Sequence, residues 1–240
     1  MMDHLVLPLQ NKQVSLKLVG MNLIRKMQNI LLKILYLLMN TPFLFLALVL
    51  LKLNASLKKD FRSLMICIAN DSTYYDVKLI NFLISAEDHR FRYHTGVDPI
   101  AILRAIYIYI RYRKYQGAST IEQQFIRTVT RRYERTKRRK FREQLLALLL
   151  DFYVKDKDSI ARSYINVAFY GLGLIGLDNF LVRKRLNIIE LTENEMLSLV
   201  SRLKYPEPLT YSDKWNSKIL ARINYTKARY YRYHLDRAPR

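Results

Sequence analysis

The sequence predicts a mainly α-helical protein with one transmembrane helix near its N-terminus. Half of its 240 residues are apolar, which excludes global disorder because a disordered chain lacks the apolar content to build a core. Six glycines and six prolines are too few for a turn-rich all-β protein. Residues 34–51 form an uncharged apolar run of 18 residues, long enough for a helix to cross a bilayer.

Composition also limits the partners and cofactors. Lys and Arg total 41 against 20 Asp and Glu, a formal net charge of +21, so an anionic partner is expected. The single cysteine, Cys67, excludes an intrachain disulfide and a multi-cysteine zinc site. Four histidines leave little for a histidine-based metal cluster. No metal ligands are therefore predicted.

The apolar run divides the chain into three predicted parts. Residues 1–33 form an N-terminal tail, 34–53 the anchor and 54–240 one helical domain. The positive-inside rule gives a slight preference for a cytoplasmic tail. The competing interpretation, a buried core helix, is disfavoured by the length of the run and its lack of charge. We also predict that translation starts at Met21, since a short basic stretch and then apolar residues follow it.

Local signals then predict helices along the domain. Asp98 followed by Pro99 is a typical helix start. Two overlapping capping boxes follow, Ser119 with Glu122 and Thr120 with Gln123. Four helices are predicted: the apolar run Ile100–Ile110, one starting near Thr120, a buried one over Phe141–Val154, and one from Thr192 that stops before Pro206. No repeat or low-complexity linker divides residues 60–240.

Three segments carry residues suited to chemistry. In residues 87–98, Glu87 and Asp88 are adjacent, and His94 precedes a glycine turn. A carboxylate beside an apolar side chain can act as a general acid or base, although composition alone favours a solvated loop. Residues 117–120 open a helix, which is either ordinary capping or an anion site, and Arg127 would add positive charge there.

The third segment is a basic run, residues 131–143, in which eight of thirteen residues are Lys or Arg. Such runs are usually solvated faces or nucleic-acid patches. Here the run ends at Glu143, immediately before the predicted buried helix. A carboxylate at a core boundary, one turn from Arg139, is more specific than a generic basic tail.

The order and spacing of these segments resemble the peptidoglycan glycosyltransferases of glycosyltransferase family 51, which polymerise lipid II. The first family motif, E-D-x-x-F-x-x-H-x-G-x-D, is matched at residues 87–98. The second matches at 117–127, the third as Arg139, Lys140, Glu143 and Ala147, the fourth as Lys157, Ile160, Tyr164 and Asn166, and the fifth at 191–195 and 206–211. The resemblance covers residues 75–213 or so.

The resemblance implies a lysozyme-like helical glycosyltransferase domain and assigns roles to matching residues. By this resemblance, Glu87 is the base that deprotonates the 4-hydroxyl of the acceptor sugar. Glu143 is the second catalytic glutamate, which orients nearby cations or the leaving group. The implied substrate-binding residues are Asp88, His94, Ser119, Thr120, Gln123, Gln124, Arg127, Arg135, Arg139, Lys140, Arg142 and Asn166.

The resemblance also implies partners, cofactors and location. The partners are lipid II, the growing glycan strand, membrane lipid and other cell-wall synthesis proteins, but not nucleic acid. The reaction requires no cofactor, and a divalent cation, Mg²⁺ or Mn²⁺, is compatible with it. The protein is expected to be a single-pass inner-membrane protein with a periplasmic catalytic domain. Only 29 residues follow Tyr211, so a monofunctional enzyme without a transpeptidase domain is expected.

Some positions depart from the family pattern. Ala118 replaces a glycine, Arg127 a lysine and Asp151 a glutamate, and Arg162 stands where the fourth motif has an acid. These departures keep a second interpretation open, a catalytically impaired scaffold that binds lipid II or glycan. A glycosidase is a further alternative, but hydrolysis would have little use for Arg127, Arg135 and Arg142.

Overall fold

The computed structural model describes residues 7–71 and 76–235, and over these ranges the protein is mainly α-helical, as predicted. One short antiparallel pair of strands joins Phe169–Gly171 (β1) to Leu174–Ile175 (β2). The helices are α1 (Leu7–Leu53), α2 (Ala55–Ala69), α3 (Val77–Glu87), α4 (Pro99–Tyr112), α5 (Ile121–Thr130), α6 (Lys137–Tyr153), α7 (Lys157–Val167), α8 (Leu177–Lys184), α9 (Glu193–Arg202) and α10 (Asp213–Leu235), with a 3₁₀ turn at Ile188–Glu190.

Helix α1 contains the predicted anchor but begins well before it. It runs without interruption from Leu7 to Leu53, about 70 Å at 1.5 Å per residue. The part over Leu23–Leu53 is long and apolar enough to cross a membrane, with a mean hydropathy of 2.3 over its most apolar 18 residues. The predicted boundary between residues 33 and 34 has no break in the backbone, and residues 1–6 of the predicted tail lie outside the described residues.

The second half of α1 packs against the rest of the protein, mainly against α6. Tyr36 is fully buried and donates a hydrogen bond from its hydroxyl to Asp98 Oδ1 at 2.9 Å. Asn40 donates from Nδ2 to Thr95 Oγ1 at 2.8 Å and to the Val97 carbonyl at 3.0 Å. A buried polar group without a partner is costly, so these bonds favour the docked position of α1. Anchor and domain therefore form one packed unit.

The core of the domain is built around α5, which packs against α6, α7 and α2. Three predicted helix starts are confirmed. Asp98 caps α4 ahead of Pro99, the Thr120 side chain caps α5, and Thr192 caps α9 in a complete capping box. These caps fix where the loops end, and so where the side chains on either side of each loop lie.

Helix α6 starts earlier than predicted. The prediction places it at Phe141–Val154, whereas the observed helix is Lys137–Tyr153. Thr136 caps it by accepting a hydrogen bond from the backbone N–H of Arg139 at 3.1 Å. The end of the basic run is therefore helical, and side chains four residues apart on it can meet.

Gly96 occupies a position where a side chain does not fit. Its φ is +84°, and a Cβ there would lie 2.2 Å from the carbonyl oxygen of Ala147 on α6. We expect Gly96→Ala to lower the free energy of unfolding by about 2–5 kcal/mol, since left-handed strain and overpacking add. Gly117→Ala is the matched control, because no atom lies within 4 Å of a Cβ at Gly117. Equal thermal melts in detergent would contradict the close approach of this loop to α6.

Candidate active site

Glu87 is the last residue of α3, and its side chain is 12% exposed. Its two carboxylate oxygens have different partners. Oε1 lies 2.6 Å from Arg222 Nη2 on α10, and Oε2 accepts a hydrogen bond from Gln124 Nε2 on α5 at 3.1 Å. Glu87 also lines a small cavity with the loop that precedes α5, including Ser119. It is thus held between two helices and borders an open space.

Asp88 and His94 join the loop after α3 to the first turn of α5. Asp88 Oδ2 lies 2.9 Å from His94 Nε2 and accepts a hydrogen bond from the Ile121 backbone N–H at 3.2 Å. Burial alone would raise the pKa of the Asp88 carboxyl, but His94, Lys157 and the Ile121 N–H outweigh it and hold that pKa below its ordinary value. Both side chains are buried, so their contacts position the loop beside Glu87.

The buried network continues beyond His94 to an ion pair that the sequence did not single out. Glu122 is fully buried, and its Oε1 lies 3.0 Å from Lys157 Nζ. Lys157 also lies 2.8 Å from Asp151 Oδ1. Burial raises the pKa of Glu122. Burial opposes the charge of Lys157, but Glu122 and Asp151 outweigh it and raise the pKa of that ammonium.

Asp88, His94 and Glu122 are also the one group among the described residues with side chains close enough to hold a metal ion. The fit to Mg²⁺ is poor, because that ion usually keeps several waters and all three side chains are buried. The Lys157 ammonium already supplies a positive charge to this group. The compatibility of the reaction with Mg²⁺ or Mn²⁺ stays a prediction.

A second charged group is centred on Glu143, which is buried on α6. Arg127 contacts it through two nitrogens, Nε at 3.0 Å from Oε1 and Nη2 at 3.3 Å from Oε2. Arg139 Nη1 contacts Oε1, and Lys140 Nζ lies 3.7 Å from Oε2. Three cations around one carboxylate leave an excess of two positive charges, which suits an anion with two or more charges.

Lys140 connects this group to the start of α5. Its Nζ donates to Ser119 Oγ at 3.1 Å and also contacts Gln123 Oε1. Burial together with Arg127 and Arg139 lowers the pKa of Lys140 to about 8, although Glu143 opposes the shift. Helix α5 therefore carries both halves of the site, since Gln124 contacts Glu87 and Arg127 contacts Glu143.

Three of the predicted substrate-binding residues pair elsewhere or face solvent, and a fourth, Thr120, lines the cavity beside Glu87. Thr120 is buried and donates to the Gly96 carbonyl at 2.8 Å. Arg142 pairs with Asp60 on α2, and Asn166 donates to Asp71. Arg135 is exposed between α5 and α6 and forms no ion pair within the described residues. Direct contact of these four residues with a substrate stays a prediction.

Arg222 is another residue of the site that sequence analysis missed. It lies in a C-terminal stretch rich in Lys and Arg, 135 positions after Glu87, so no local pattern distinguishes it from its neighbours. Arg162, which departs from the family pattern, contacts Asp156 at the N-cap of α7. That ion pair involves neither Glu87 nor Glu143.

Comparison with known proteins agrees with the motifs. The sequence model of the family described as Transglycosylase matches residues 69–230. Penicillin-binding protein 1A of Aquifex aeolicus is 39% identical over 101 residues, 42% of this chain and 14% of that protein. Penicillin-binding protein 1B of Vibrio cholerae is 31% identical over 172 residues, 68% of this chain and 22% of that protein. The matched part thus spans less than a quarter of each of these two relatives. Because the family match covers more than half of its residues, the chain belongs to the transglycosylase family, glycosyltransferase family 51.

Proposed function

We propose that this protein polymerises lipid II into glycan strands for peptidoglycan synthesis. The observation that supports this most directly is the two-part site on α5. A partly exposed carboxylate, Glu87, lies at one end, and a cluster with excess positive charge around Glu143 lies at the other. A reaction that deprotonates a hydroxyl and releases a pyrophosphate needs both parts.

The proposed step transfers the growing chain to an acceptor sugar. Glu87 takes the proton from the acceptor 4-hydroxyl, whose oxygen forms a bond to the anomeric carbon of the donor. The bond from that carbon to the lipid pyrophosphate breaks, and its electron pair leaves with the pyrophosphate. Arg127, Arg139 and Lys140 are already fixed by Glu143, so they stabilise the developing negative charge without reorganising.

In the same proposal the protein is a single-pass inner-membrane protein. Helix α1 crosses the membrane, and the domain beyond it lies on the periplasmic side, where lipid II, the glycan strand and other cell-wall proteins would meet it. The apolar stretch Leu23–Leu53 supports this arrangement. We further propose that glycan polymerisation is its one activity, so a fluorescent penicillin should not label it.

The direct test is to incubate the full chain in detergent with purified lipid II and separate the products by gel electrophoresis. We expect glycan strands with lipid II and none with an otherwise identical substrate that carries a monophosphate, a poorer leaving group. Binding of lipid II without any strands would contradict the polymerase and favour the scaffold. A soluble disaccharide released in place of strands would favour a glycosidase.

Deprotonation of Lys140 is expected to set the upper pH limit of polymerisation. Its pKa of about 8 means that the ammonium is charged below that pH and loses its proton above it. We expect polymerisation to fall as pH rises through this value. In Lys140→Arg the limit should move to higher pH, because a guanidinium stays protonated. A pH–rate profile from 6.5 to 9.5 on both proteins checks this, and identical profiles would show that another group sets the limit.

A further inference from the structure

Among the described residues, Arg222 is the positively charged residue that forms an ion pair with Glu87. It lies in α10, which packs along α3 and α9. Its Nη2 is 2.6 Å from Glu87 Oε1 and donates to the carbonyl of Ala86 at 2.7 Å. The side chain is only 10% exposed. Within residues 7–71 and 76–235, no other cation forms an ion pair with Glu87.

The two oxygens of Glu87 accept hydrogen bonds that differ in the charge of the donor and in length. Oε1 accepts a hydrogen bond of 2.6 Å from the charged guanidinium, so this contact is also an ion pair. Oε2 accepts a longer bond of 3.1 Å from the neutral amide of Gln124. Arg222 Nε is buried and has no acceptor, so the guanidinium holds Glu87 through one nitrogen rather than two. A carboxylate offers about four lone-pair sites, and those on Oε2 are the less strongly held.

We propose that Arg222 is a positioning residue that fixes Glu87 through Oε1 and leaves Oε2 to accept the proton of the attacking hydroxyl. This inference rests on the proposed function, since it assigns an oxygen of the proposed base. The hydroxyl proton moves to Oε2, and the carboxylic acid so formed stays attached to Arg222 through Oε1. The carboxyl group then keeps its orientation between successive transfers.

A simpler role for Arg222 must be separated from this one. A cation at the C-terminus of a helix stabilises it through the helix dipole, and Arg222 does bind the carbonyl of Ala86 in the last turn of α3. A purely structural role would change the melting temperature and leave the catalytic step of folded protein unaffected. A positioning role would change the catalytic step itself.

The first experiment compares Arg222→Gln and Arg222→Lys with Arg229→Gln. Arg229 lies two turns further along α10, forms no ion pair within the described part of the chain, and contacts Tyr225 rather than Glu87. We expect kcat of Arg222→Gln to fall about 10–100-fold, the scale of a misplaced catalytic group, with an unchanged KM. Arg222→Lys should recover part of kcat, and Arg229→Gln should match the native protein. An unchanged kcat, or a change in KM alone, would overturn the proposal.

A second measurement does not depend on activity. A water-soluble carbodiimide modifies accessible carboxyl groups, and mass spectrometry of peptides reports the rate at Glu87. We expect Glu87 to react several-fold faster in Arg222→Gln than in the native protein or in Arg229→Gln, because Oε1 is no longer held. Equal rates in folded proteins would overturn the proposal. If the native protein makes no strands, the polymerase proposal alone fails, and the labelling rates still decide whether Arg222 holds Glu87.

Discussion

Glu87→Gln is expected to lower kcat for glycan polymerisation by about 10²–10⁴-fold, the usual contribution of a general base. The amide has nearly the shape of the carboxylate, and its oxygen can still accept the hydrogen bond from Arg222. The variant loses the ability to take a proton at neutral pH and should keep its fold. Strand formation from lipid II, measured over a series of protein concentrations, gives the rate.

The matched control for this variant is Glu190→Gln, the same change at an exposed position in the 3₁₀ turn. It should polymerise at the native rate. Thermal melts of all three proteins in detergent show whether the fold is retained. If folded Glu87→Gln keeps more than a tenth of the native kcat, Glu87 is not the base, and another carboxylate must take the proton.

In the buried network of Glu122, Lys157 and Asp151, Lys157→Met is the single change that should lower the free energy of unfolding most. It removes the ammonium that lies 3.0 Å from Glu122 and 2.8 Å from Asp151. A buried carboxylate left without its cation typically costs about 3–5 kcal/mol. For a domain of this size that loss lowers the melting temperature by about 6–20 °C. Differential scanning fluorimetry in detergent at pH 7.5 measures it.

The loss should be smaller in acid. Burial raises the pKa of Glu122, and Lys157→Met removes the ammonium that opposes this shift most strongly. The folded variant then binds a proton at Glu122 that the unfolded chain releases, so its stability falls as pH rises. Adding Glu122→Gln should restore part of the melting temperature at pH 7.5. Lys155→Met, an exposed position two residues away, is the control, and an equal loss there would rule out the buried pair as the cause.

Local signals predicted the helix starts well, because a cap is a short-range interaction. Asp98, Thr120 and Thr192 each bind backbone N–H groups within three residues of themselves. The start of α6 was missed because its first turn is basic and resembles a solvated face. The extent of α1 before residue 34 was missed for a similar reason, since its basic residues ended the uncharged run.

The site was predictable only where its residues lie in motifs. Glu87, Gln124, Arg127 and Glu143 were predicted from the motifs, and the structure brings them to α5 and its neighbours. Arg222 was not, because its ion pair with Glu87 joins positions 135 residues apart. The pairing of Arg142 with Asp60 and of Asn166 with Asp71 depends on how α2 and the two residues after it dock. Sequence spacing alone does not determine that packing.

The docking of α1 fixes the rotation of that helix about its own axis. An α-helix turns by about 100° per residue, and Tyr36 and Asn40 must both face the loop that contains Asp98. One residue inserted between Asn40 and Ala47, which is also buried, would rotate the preceding part of the helix by that angle and carry both side chains away from their acceptors. Helix α1 is therefore held in one rotational orientation relative to the loop before α4, so the positions of its polar residues matter as well as its hydrophobicity.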